Sequence, residues 1–140
     1  MASFESTVAV NLIAGEDLRG DVFEILQIED DGGVGKVIKA TAVTNTVIGI
    51  LAENPRTDLT TDCLSVPVVL LQGKVAVKAG GAVAAGDLIV PDATAGRVIG
   101  VTGVGALAAD SMAIGIALES AVDGDIFNML AMPIAAPHSV

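Results

Sequence analysis

Short apolar runs, each cut by glycine, aspartate, asparagine or proline, follow one another along almost the whole chain. "STVAVNLI" (6–13) alternates in part. "DVFEILQI" (21–28) puts Val22, Glu24, Leu26 and Ile28 on one side and Phe23, Ile25 and Gln27 on the other. "KVIKATAV", "NTVIGILAE", "CLSVPVVLL", "KVAVKA", "DLIVP", "RVIGVT", "MAIGIALE" and "DIFNMLAM" continue the series. Period-two alternation over a few residues between turn formers predicts strands, and no segment sustains a 3.6-residue period. One helical turn is expected at "GALAADSM" (105–112). Pro67, which has no amide to donate, marks an edge strand or a bulge. Many short strands with frequent turns predict an all-β fold, either a small β-barrel or a β-sandwich.

The pattern is written twice. "IGILAE" (48–53) returns as "IGIALE" (114–119), "RGDVFEI" (19–25) as "AGDLIVP" (85–91), and "GKVIKAT" (35–41) as "GRVIGVT" (96–102). Gly20 to Gly86 and Ile48 to Ile114 are both 66 positions, whereas Gly35 to Gly96 is 61. The slippage implies about five extra residues near "EDDGG" (29–33) in the first half and about five near "GVGAL" (103–107) in the second, loop sites where insertions cost little. Two copies are too few for a solenoid, so they are expected to close into one pseudo-symmetric domain. Residues 14–133 form that domain, with repeats at 15–71 and 80–133. Residues 1–13 form an extended N-terminal arm, and 134–140 a C-terminal tail, where Pro133 at its start and Pro137 within it discourage pairing. The arm reads as an ordinary first strand or, next, as a segment reaching a neighbouring subunit. Its apolar residues, Phe4, Val8, Val10 and Leu12, are the candidate contacts with a subunit or partner.

Composition narrows the function. With 140 residues, 52% of them hydrophobic, and a mean hydropathy of +0.71, the chain can bury a core. It has no run approaching the roughly 18 apolar residues of a membrane helix. The N-terminus lacks a basic segment before an apolar core and does not read as a signal peptide. Net charge is −10, and seven acids fall between Glu16 and Asp31. Such a surface repels phosphate backbones. Without Trp or Tyr, and with only three Phe, it also lacks stacking platforms for bases. Neither nucleic acid nor membrane is an expected partner.

Chemistry finds little to stand on. "GGVGKV" (32–37) departs from a phosphate-binding loop, with Asp30 where a glycine is required and Val37 in place of the hydroxyl. His138 lies in the tail, a poor place from which to activate a nucleophile. The lone Cys63 reads as a small buried hydrophobe. Asp123 and Asp125, and Asp30 and Asp31, read as turn formers, since the 12-residue calcium loop with its closing Glu is missing. No catalytic residue, metal or cofactor is expected. "VAAGDLIV" (83–90) also occurs in lipoyl- and biotinyl-type carriers, the alternative reading, but none of the lysines has the acidic or methionine neighbour of a modified site.

"VAVKAGGAVAAGDLIVPDATAGRVIG" followed by "AIGIALESAVDGDIFNMLAMP" closely resembles the capsid decoration, or cement, proteins of tailed bacteriophages. "AGEDLRGDVFEI" and "KATAVTNTVIGILAE" resemble that family's opening, so the likeness spans residues 14–133. It departs at "LTTDCLSVPVVLL" (59–71) and at the longer "EDDGG" loop. The resemblance implies an all-β subunit, made in the host cytoplasm, that forms a homotrimer. In the virion it would sit on the outer capsid surface and brace the major capsid protein. It implies no catalytic residues. The surplus of Val and Ala fits burial against copies of itself.

Overall fold

The computed structural model describes residues 8–41, 46–60, 64–107 and 112–135. Its strands are β1 (Ala9–Ile13), β2 (Ile25–Asp31), β3 (Val34–Lys39), β4 (Val47–Leu51), β5 (Ser65–Leu70), β6 (Gly73–Lys78), β7 (Leu88–Pro91), β8 (Val98–Val101), β9 (Met112–Ala117) and β10 (Ile126–Ala135). Among the described residues a 3-10 turn, Val104–Ala106, overlaps the start of the segment (105–112) expected to be helical. The fold is all-β, in two halves. Pro67 sits inside β5 opposite Asn11 of the edge strand β1.

Each half is one antiparallel sheet. The order is β1-β5-β4-β2-β3 in the first and β6-β10-β9-β7-β8 in the second, the same arrangement strand for strand. Registers agree as well. Gly49 lies between Leu26 and Leu70, as Gly115 lies between Ile89 and Ala131. A parallel bridge from Ala14 to Val37 brings the end of the first strand back to the third, and Ala79 to Val98 repeats it in the second half. Both sheets therefore roll toward closure. The duplicated "IGI" motif has a steric cause. A Cβ on Gly49 would collide with the Val69 carbonyl, and one on Gly115 would come within 2.6 Å of the Leu130 carbonyl.

These registers widen the repeat. Residues 9–13, set apart as an arm in the sequence, pair with β5 and occupy the position that β6 holds in the second sheet. The unit thus starts at β1 in one copy and at β6 in the other. The Gly-Asp match also shifts by three residues. Phe23 donates its amide to the Leu51 carbonyl and Leu51 donates back to Glu24, as Gly86 donates to Ala117 and Ala117 to Asp87. Phe23-Glu24 is therefore the counterpart of Gly86-Asp87, and the first unit holds an additional turn closed by the Asp21 amide on the Leu18 carbonyl.

The two units stack with unlike faces together. Along each strand, neighbouring side chains point to opposite sides. Leu26, Val37, Leu51, Val66 and Val68, with Ala14 and Leu18, fill the first unit. Their counterparts Ile89, Val98, Ala117, Phe127 and Met129 fill the second. The alternate residues Ile25, Ala40, Ile50 and Val69 leave the back of the first sheet and join the second unit's core. The first sheet is therefore buried on both faces. Leu59, from the connection between β4 and β5, packs on the first unit's core, and Leu107 packs on the back of the second sheet with Leu88, Val90 and Ala113.

Candidate interaction surface

The junction between units is built by one short segment. Phe23 holds a left-handed conformation, φ 68°, which costs a side-chain-bearing residue roughly 1–2 kcal/mol. Its carbonyl accepts the Lys78 amide at 2.9 Å, and the Ile25 amide donates to the Gly96 carbonyl at 2.8 Å. Gly96 donates in turn to the Ala40 carbonyl at 2.8 Å. Its peptide is thereby wedged into the end of the β2–β3 ladder. A side chain at Gly96 would meet Glu24 at about 3.0 Å.

Glu24 is the charged residue sealed at this seam, and its Oε2 has no hydrogen-bond partner among the described residues. Arg97 Nε lies 3.7 Å from Oε1 but turns its Nη1 to Asp123 at 3.0 Å. Burial, then the hydrogen bond and the charge of Asp21, push the Glu24 carboxyl up to about 7, against the pull of Lys39 and Lys78. Desolvation is the largest influence: Arg97 makes its short contact with Asp123, and Lys39 Nζ reaches Asp21 at 3.7 Å, not Glu24. The backbone bonds of Phe23 and Ile25 hold the units together, and Glu24 is enclosed where they meet.

Other acids serve turns, Asp30 and Asp125 among them. Asp30 accepts the Gly33 amide at 2.8 Å, and Asp125 accepts the Val122 amide at 3.1 Å. Among the described residues, no three of His, Cys, Asp and Glu gather as metal ligands. Cys63, His138 and Phe4 lie outside the described residues. The other candidate contacts share one parity along the strand but differ in cover. Val10 and Leu12 pack against the first unit's own core. Val8 is exposed, and its carbonyl accepts the Leu70 amide.

A larger apolar surface lies where sequence reasoning did not place it, on the back of the second sheet. Val69 of the first sheet is 3% exposed, whereas its counterpart Leu130 is 39% exposed. Leu118, opposite Asn128 through a 3.0 Å backbone bond, is 48% exposed. Ile126 and Met132 extend the row along β10. Lys78 stands beside Ile126 and Lys74 beside Leu130 on the same face, because directly paired residues share a side. "DIFNMLAM" carries this alternation of Ile126, Asn128 and Leu130. What it lacks is any sign that the neighbouring unit covers one sheet's back and leaves the other's bare.

The closed double-unit architecture has a counterpart among solved structures. The chain is similar to the N base of head fiber gp8.5 in bacteriophage phi29, with a TM-score of 0.57 and 12% identity, over 94% of this chain and 99% of that one. The two share a fold. No family model matches the sequence. Nor does any curated protein.

Proposed function

We propose that this chain is a structural protein of a phage virion head, a decoration protein that binds the outer capsid surface and braces contacts between major capsid protein capsomers. The observation carrying the reading is the full-length likeness in fold to a phage head fiber base, found independently of the resemblance of residues 14–133 to decoration proteins. The acidity fits an outward position, away from packaged DNA. A bare apolar row flanked by lysines fits a protein that works by contact, not catalysis, and that assembles as a homotrimer. The experiment is co-sedimentation of purified protein with capsids that lack it, followed by heating of the bare and decorated shells. Saturable binding and a raised shell-disruption temperature are expected. Absence of binding at micromolar concentration rejects the proposal.

A further inference from the structure

Three features of the molecule converge on one contact. First, the back of the first sheet, with Ile25, Ile50 and Val69, is covered by the second unit. The matching back of the second sheet is covered only in part, by Leu107 over Leu88, Val90 and Ala113. Leu118, Ile126 and Leu130 remain exposed beside that cap. Second, this uncovered strip is flanked by Lys74 and Lys78 on a chain whose net charge is −10. Third, the same chain carries a surface of opposite charge that also exposes apolar side chains. The β2–β3 hairpin presents Ile28, 52% exposed, and Val34, 46% exposed. Glu29, Asp30 and Asp31 surround them, all exposed, with Asp31 held at 2.8 Å by Lys36.

From these we propose that the strip Leu118–Ile126–Leu130, with Lys74 and Lys78, receives the acidic β2–β3 hairpin of a second copy of this chain. Charge complementarity favours such an occupant, since the lysines of the strip match the acids of the hairpin. The contact joins two different surfaces, so each copy offers one and accepts the other. Heterologous contacts of this kind close into rings when the rotation allows. Opposite charges around an apolar centre set orientation and exclude the like-charged alternative of hairpin against hairpin. The inference concerns free protein and is tested apart from the capsid-binding reading.

The test is sedimentation equilibrium of the full chain, read by interference optics because the chain has no Trp or Tyr, with thermal melting as the control for folding. Leu130→Asp is expected to weaken self-association by roughly tenfold or more, with melting unchanged because the side chain is already exposed. Lys74→Glu and the pair Glu29→Lys with Asp30→Lys are each expected to weaken it. Combined in one chain, they are expected to restore it, the mark of direct pairing. A wild-type chain that stays monomeric at tens of micromolar overturns the proposal. So does a Leu130→Asp chain that associates normally but no longer binds capsids, which gives the face to the capsid. Hairpin variants that associate normally while Leu130→Asp does not would remove the hairpin as occupant.

Discussion

The two units run the same five strands in the same order, yet their interiors are filled differently. Where the first has Val66 and Leu51, the second has Phe127 and Ala117. Where the first has Val68, the second has Met129. A large residue has moved from one strand to another and a small one has taken its place. Duplicated backbones tolerate such exchanges when total volume is kept. The junction positions are exchanged too. Gly86-Asp87 makes a relaxed turn in which Asp87 accepts the Ala84 amide at 2.9 Å, while Phe23-Glu24 makes a strained turn whose carboxyl is sealed against the other unit. One copy kept an ordinary hydrogen-bonded turn. The other turned it into a connector.

Removing residues 1–12 breaks the comparison most severely. It takes four of the five residues of β1 (Ala9–Ile13), whose counterpart β6 lies mid-chain. Val10 and Leu12 leave the first core, at about 1.5–3 kcal/mol for a large side chain, and the β5 edge loses its ladder. A melting temperature lowered by more than about 10 °C is expected for a loss of that size. An unchanged melt would make β1 dispensable.

Phe127→Ala against Val66→Ala sharpens the packing difference. The phenylalanine is expected to cost about 3–5 kcal/mol and the valine clearly less. Equal costs in urea denaturation would show that the two interiors carry the same volume at matched positions after all.

Glu24 supplies the smallest and most specific effect. Its carboxyl stands at about 7 in the folded chain instead of the ordinary 4.5, so folding favours the protonated form. That contribution is fully present below about pH 4.5 and is lost as pH rises through about 7, a span worth roughly 3 kcal/mol at most. Glu24→Gln is expected to flatten stability across this window and to exceed the parent above pH 7. A variant whose stability declines with pH as steeply as the parent's would assign the titration elsewhere.

Much of the fold was legible because strands write themselves as alternation and turns as Gly, Asp and Pro. All ten strands fall within or overlap segments read as strands, and the pair Gly49 and Gly115 flagged the duplication that steric contact with the next strand enforces. The repeat's limits were not legible. β1 and β6 share a Val-Ala-Val run (8–10 and 75–77) that lies two residues out of structural register, since an edge strand needs only apolar residues at alternate positions, Val10 and Leu12 in one and Val75 and Val77 in the other. The matching of Gly20-Asp21 with Gly86-Asp87 failed for a related reason: Phe23 takes a conformation that sequence reserves for glycine. The exposed strip was hidden because "DIFNMLAM" looks the same whether its second face is covered or bare. High hydropathy also acquires a partly different source, the first sheet's burial on both faces, which turns alternation into doublets such as Ile25-Leu26, Ile50-Leu51 and Val68-Val69.

Those doublets have a consequence for how the molecule comes apart. Each pair places one side chain in the first core and its neighbour in the second, so the strand beneath them cannot release one interior while holding the other. Heating should therefore give one calorimetric peak, with the van't Hoff and measured enthalpies equal. The first sheet makes two copies of one motif into a single cooperative unit.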